Sequence, residues 1–115
     1  MHEMGIASSV LDAVRAEAQL HPGARISKVG LRIGELAGVD PDSLRFCFEA
    51  LVKDTPLGPL PLDIEFCARR QLCHTCGCTF EVAAYDLSCP FCGLSPTECV
   101  GGTELELSYL ELEES

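Results

Sequence analysis

Two glycine-terminated Cys-x-x-Cys pairs, Cys73-His74-Thr75-Cys76-Gly77 and Cys89-Pro90-Phe91-Cys92-Gly93, place four thiols where one tetrahedral metal ion can collect them. Each pair bends the backbone so that its amides point at the sulfurs, and the glycine after the second cysteine supplies the positive φ that such a turn needs. Twelve residues separate Cys76 from Cys89, room for a short hairpin that returns the second pair beside the first. A thioredoxin-like redox motif also reads Cys-x-x-Cys, but it is single and opens a helix after a strand, so the doubled motif points to zinc. Four thiolates close the coordination shell and leave no position for water or substrate. Such a zinc ion is structural, and the function has to lie elsewhere.

The start of the chain, Met1-His2-Glu3, offers a second kind of chemistry. With histidine second, the α-amine, the His2 backbone nitrogen and one imidazole nitrogen can close fused chelate rings around one ion, with the Glu3 amide next in line. Nitrogen donors in a plane suit Ni²⁺ or Cu²⁺. Taken alone, a histidine there also reads as a merely solvated side chain. The other thiols are weaker candidates. Cys47 falls on an apolar helical stripe and reads as packing, Cys67 faces away from the apolar side of its strand, and Cys78 and Cys99 flank the knuckles without their geometry. His74 is expected to point to solvent, His21 to end a helix, and Glu35, Glu111, Glu113 and Glu114 to solvate the surface. No nucleophile stands beside a base and no glycine loop is built for phosphate, so the chain does not read as an enzyme.

The elements that position these groups are legible. Ala7, Val10, Leu11, Val14 and Ala18 repeat as one helical face, which His21-Pro22-Gly23 ends. Lys28 to Arg32 alternates as a strand with Val29, Leu31 and Ile33 on one side. Asp40 as N-cap, Pro41 at the first helical position and Val39 stapled to Leu44 open a second helix, with Leu44, Cys47, Phe48 and Leu51 as its buried stripe. After the loop from Thr55 to Pro61, Leu62, Ile64, Phe66 and Ala68 alternate as a second strand. Beyond Gly101-Gly102, Leu105, Leu107 and Tyr109 alternate, and the phase then slips to Leu110 and Leu112, which predicts a β-bulge near Tyr109-Leu110.

These elements predict an α+β fold: a small mixed three-stranded sheet with two helices on one face, its first two strands parallel and its last antiparallel to the second, plus an inserted four-cysteine zinc-ribbon module. The predicted division is residues 1–69 and 101–115 as an α/β domain around the N-terminal metal site and residues 70–100 as the zinc-binding domain. At 115 residues the chain suits a small core with a metal-stapled appendage. Without a basic segment leading into an apolar run at the N-terminus, its eight cysteines read as cytoplasmic and reduced rather than as a secreted disulfide scaffold. The net charge of −10, about −12 with four thiolates on Zn²⁺, argues against nucleic acid, and no apolar stretch argues for a membrane. Acidic charge points to cationic or protein partners. Monomer and homodimer are both compatible with the sequence.

The Met1-His2-Glu3-Met4 start, the block from Ile33 to Leu51 (Ile33-Gly34-Glu35-Leu36-Ala37-Gly38-Val39-Asp40-Pro41 onward) and the paired knuckles, in this order and at this length, resemble the HypA/HybF family of nickel metallochaperones for [NiFe]-hydrogenase maturation. The resemblance covers essentially the whole chain. It implies a nickel site organised by His2 with Glu3 beside it, and a zinc site made by Cys73, Cys76, Cys89 and Cys92. It also implies cooperation with the GTPase HypB and handover of Ni²⁺ to the hydrogenase large subunit. The alternative is a zinc-ribbon protein-interaction adaptor that carries no nickel.

Overall fold

A computed structural model of the chain describes residues 2–83 and 85–114. The first helix, α1 (Glu3–Leu20), is followed by β1 (Ala24–Gly34), a 3₁₀ turn (Glu35–Ala37), α2 (Pro41–Val52) and β2 (Leu62–Cys67). Three short strands come next, β3 (Arg70–Leu72), β4 (Thr79–Glu81) and β5 (Glu98–Gly101), and β6 (Leu105–Glu114) closes the chain.

The strands form two three-stranded sheets, β2-β1-β6 and β4-β3-β5. In the first, β1 runs parallel to β2 and antiparallel to β6. The expected mixed sheet is there, but β6 does not neighbour β2. The chain leaves from one edge strand, builds the second sheet and returns to the opposite edge, so β1 is central. Burial accords with this order: β1, the central strand, carries Ile26, Val29, Leu31 and Ile33 at 5% exposure or less beneath the helices.

One core lies between this sheet and the helices. Ala7, Leu11 and Val14 of α1 meet Leu44, Phe48 and Val52 of α2 above the apolar face of β1, with Leu62 of β2 completing it. Burial of each large side chain contributes about 1.5–3 kcal/mol. The second helix starts as its sequence prescribes: the Asp40 carboxylate accepts from the amides of Asp42 (3.0 Å) and Ser43 (3.4 Å), and Pro41 occupies the first helical position. The first helix starts earlier than its apolar stripe suggests. It begins at Glu3, which makes His2 its N-cap.

The opposite face of the sheet is polar. Arg32 on β1 reaches Glu65 on β2 (2.8 Å) and Glu106 on β6 (2.9 Å), and Arg25 and Lys28 pair with Glu113 (3.1 Å) and Glu111 (3.8 Å). Of the glutamates expected simply to solvate the surface, Glu111 and Glu113 are therefore rungs of a charge ladder. The bulge falls at Ser108, where the register passes from Gly30↔Tyr109 to Leu31↔Leu107. Tyr109 is consequently on the polar face, not in line with Leu105 and Leu107. Leu107 and Leu110, three positions apart, both pack on the core. A second slip, between Ile26 and Lys28, lets β1 present both Ile26 and Val29 to that core.

Candidate metal centre

The second sheet frames two turns. The first turn leaves β3 at Cys73 and is closed by the Gly77 amide on the Cys73 carbonyl (2.8 Å), with Gly77 at φ +75°. The second repeats it, with the Gly93 amide on the Cys89 carbonyl (2.7 Å) and Gly93 at φ +77°. At such φ a side chain would strain the turn, which is why each pair ends in glycine. The Cys73 amide donates to the Cys78 carbonyl (2.9 Å) and the Cys89 amide to the Leu94 carbonyl (3.1 Å), so each knuckle folds back on itself.

The two knuckles bring four sulfurs together. Cys73 Sγ lies 3.5 Å from Cys92 Sγ and Cys76 Sγ lies 3.6 Å from Cys89 Sγ, and all four are within 4.8 Å of one another. Four sulfurs at ~2.3 Å from a tetrahedral zinc stand ~3.8 Å apart, so the cluster fits Zn²⁺ with little adjustment. Among the described residues no other group of His, Cys, Asp and Glu is gathered this closely. Cys78 and Cys99 are outside it.

The thiols are unequal before any metal binds. Cys73 is lowered to about 6, chiefly by the Cys76 amide, which donates toward its sulfur and stabilises the thiolate. Cys89 is also lowered, the Cys92 and Phe91 amides outweighing burial, its largest single influence. Cys76 is pushed up to about 12: the Cys78 amide resists, but burial and the neighbouring sulfurs of Cys89 and Cys73 prevail. Four negative sulfurs cannot crowd into one space unneutralised, so two ionise readily and two retain protons until a cation replaces them.

A polar relay ties this unit to the first sheet. Gln71, 2% exposed, is the one buried polar side chain among the described residues. Its Oε1 accepts from Arg69 Nε (3.1 Å) and its Nε2 donates to Thr97 Oγ1 (3.0 Å), which donates to the Leu87 carbonyl (2.6 Å), two residues before Cys89. On the other side the Arg69 amide donates to Glu35 Oε1 (3.2 Å), and the Gly34 and Leu36 amides donate to the Glu104 and Gly102 carbonyls, both at 2.7 Å. The outgoing and returning strands are thus fastened where β1 ends. Sequence reasoning missed Gln71 and Thr97 and assigned Glu35 to solvation. The available signal was a glutamine at the centre of a short strand, flanked by Arg70 and Leu72.

The remaining candidates are scattered. His2, exposed at the start of α1, lines a cavity of about 550 Å³ with Glu3, Met4, Asp42, Phe46 and Cys47, between the first turns of the two helices. As the N-cap, its backbone marks a position where amides have no carbonyl partner within the helix; the first such bond runs from the Ile6 amide to the His2 carbonyl (3.2 Å). The expected α-amine ligand of Met1 lies outside the described residues. His74 is not simply solvated: its Nε2 lies 3.0 Å from Glu98 Oε2 on β5. His21 caps the end of α1, 4.0 Å from Glu17. Cys67 does face away from the core, 3.6 Å from the Glu65 carboxylate. Burial pushes its thiol up more than Arg32 lowers it, which leaves it a poor thiolate donor.

Comparison with known proteins decides the family. A family model for hydrogenase/urease nickel incorporation, the metallochaperone HypA, matches residues 1–112. The chain belongs to the HypA family. Hydrogenase maturation factor HypA of Chlorobium limicola is 43% identical over 99% of this chain and 98% of its own length, and that of Geobacter metallireducens is 42% identical over 98% of this chain and all of its own. Among solved structures, the Ni metallochaperone HypA from Helicobacter pylori matches over the full length of both chains with a TM-score of 0.66 at 25% identity. A second HypA solution structure reaches 0.75 at the same identity, over all of this chain and 98% of its own. HypA proteins are metallochaperones, not enzymes, and a four-cysteine cluster suited to structural zinc accords with that. Among the described residues no helix is long and apolar enough to cross a membrane.

Proposed function

We propose that this HypA chain carries Ni²⁺ at its N-terminus and, with the GTPase HypB, passes it to the [NiFe]-hydrogenase large subunit in the cytoplasm. The observation that carries the reading is His2 at the N-cap of α1. There the His2 and Glu3 amides are not committed to helical hydrogen bonds, so they are free to join the α-amine and the imidazole around a cation without unwinding the helix. Residues 1–69 and 101–115 then form the nickel-binding unit, and residues 70–100 the zinc-binding unit in which Cys73, Cys76, Cys89 and Cys92 hold Zn²⁺ as a staple. Division of labour follows from donor chemistry: closed thiolate coordination retains its ion, whereas an exposed nitrogen chelate releases one.

The test is nickel titration calorimetry on the untagged, zinc-loaded protein, its His2→Ala variant and a version with one residue added before Met1. Specific Ni²⁺ binding is expected only in the unaltered chain, with zinc content equal in all three. Equal nickel binding by the extended protein would dismiss the N-terminal chelate. Absence of nickel binding in the unaltered chain would favour a zinc-ribbon adaptor.

A further inference from the structure

The sheet β2-β1-β6 ends on a long strand whose outer edge has no partner among the described residues. Exposed edges of this length ordinarily carry a safeguard against pairing with another chain, and here the safeguard is charge. β6 bears Glu106, Glu111, Glu113 and Glu114 and no lysine or arginine. Two copies meeting edge to edge would bring these carboxylates together, and like charges across a ladder are destabilising. A second copy of the chain is therefore the wrong occupant.

The inner edge shows what the right one looks like. Glu106, Glu111 and Glu113 are each matched on β1 by a cation, Arg32, Lys28 and Arg25, at 2.9, 3.8 and 3.1 Å. On the other face of the same two strands the rungs are apolar, Ile33↔Leu105, Leu31↔Leu107 and Ile26↔Leu112. A strand that alternates cationic and apolar residues is thus the complement β6 already accepts on one side. Space for the apolar half exists. Over this edge α1 stands clear of the sheet and leaves a cavity of about 480 Å³, lined by Ile6, Val10 and Ala13 above and by Leu31, Leu105 and Leu107 below. Leu105 and Leu112, opposite buried isoleucines, keep 41% and 38% of their surface exposed for want of a further neighbour.

We propose that the free edge of β6 docks an extended, cationic-apolar alternating segment of a partner protein as a fourth strand, its apolar side chains entering the cavity beneath α1 and its cations facing the β6 glutamates. His2 lines the same cavity, so the docked segment would run beside the N-terminus. The proposal does not depend on nickel.

It is tested with the zinc-loaded full chain, nitrogen-15 labelled and without nickel, by amide hydrogen exchange in the presence of three synthetic peptides of alternating valine with arginine, glutamine or glutamate. The valine-arginine peptide is expected to protect alternate amides of β6, at least about tenfold more tightly than the glutamine peptide, with an affinity that falls as salt rises. The glutamate peptide is expected not to bind. Protection appearing on β2, equal binding of the three peptides, or none with arginine would overturn the proposal, as would β6 amides already protected in a homodimer of the free chain. Glu111→Lys with Glu113→Lys should weaken the arginine peptide at least about tenfold, and the peptide series on the unaltered chain stands whether or not that variant folds. Peptide binding by a chain that binds no Ni²⁺ in the separate nickel titration would retain the docking edge and dismiss the metal reading.

Discussion

Tyr109 on β6 donates its phenolic hydrogen bond to Asp63 on β2, reaching across the whole width of the central strand. It can do so because the residue beneath is Gly30, which pairs with Tyr109 on one side and Asp63 on the other. A β-carbon at Gly30 would overlap the tyrosine ring. Gly30→Ala should therefore expel the ring and destabilise the fold by about 1–3 kcal/mol, more than Tyr109→Phe, which keeps the ring in place. Urea unfolding of Gly30→Ala, Tyr109→Ala and the double variant is the check. If the two losses simply add, the ring is not what Gly30 accommodates.

The same bond predicts an alkaline limb of stability. Donation to Asp63, the largest cause, pushes Tyr109 up to about 12, so the folded chain holds the phenolic proton more tightly than the unfolded one. Its stabilising effect is complete below the ordinary phenol range near ~10 and is lost as pH rises through about 12. A tyrosine absorbance titration should show a late phase that disappears in Asp63→Asn; an unchanged curve would argue against the bond.

Removal of zinc should unfold the second sheet and spare the first. Its three strands are short, and its buried cluster consists of Cys73, Cys89 and Phe80, too little to persist without the metal. Cys73→Ser or Cys92→Ser should lose zinc and the amide dispersion of residues 70–100, while far-ultraviolet circular dichroism keeps most of its helical signal. Collapse of both helices would mean that the two sheets fold as one unit.

Much of this was readable from residue types. The knuckles, the Asp40-Pro41 helix start and the stripe of Leu44 and Phe48 are local signals, each fixed by a backbone or periodicity requirement that neighbouring residues satisfy. What could not be read is what depends on distant pairing. The slip after Tyr109 announced a bulge near Tyr109-Leu110, but only pairing with β1 decides that Ser108 is the extra residue and that Tyr109 turns to the polar face. Glu35 looked like a surface carboxylate because its partner, the Arg69 amide, lies thirty-four residues away. The placement of β6 beside β1 is likewise a matter of distant pairing.

Gln71→Leu should weaken zinc retention without touching a sulfur. The substitution leaves Arg69 Nε and Thr97 Oγ1 without their buried partner, a cost of about 1–3 kcal/mol, and loosens the Leu87 carbonyl that leads into the second knuckle. Faster zinc loss to a colorimetric chelator is expected, with Gln71→Glu, which keeps the acceptor for Arg69, intermediate. Identical zinc loss from all three proteins would show that the relay is incidental to the metal.

Acidification should release nickel before zinc. Each nitrogen donor proposed for Ni²⁺ must be deprotonated to bind, so protons compete with the metal for all of them. The zinc thiolates also protonate, but four of them must be displaced from a closed shell, and Cys73 is held as thiolate down to about 6 by the Cys76 amide even without metal. The sign is the same for both metals, affinity present at higher pH and lost as it falls, but nickel has few other ligands to hold it. Dialysis of the doubly loaded protein through falling pH, with elemental analysis at each step, should show nickel gone while zinc remains near one per chain. Zinc leaving first, or both leaving together, would mean that the N-terminal carrier and the thiolate staple are not independent.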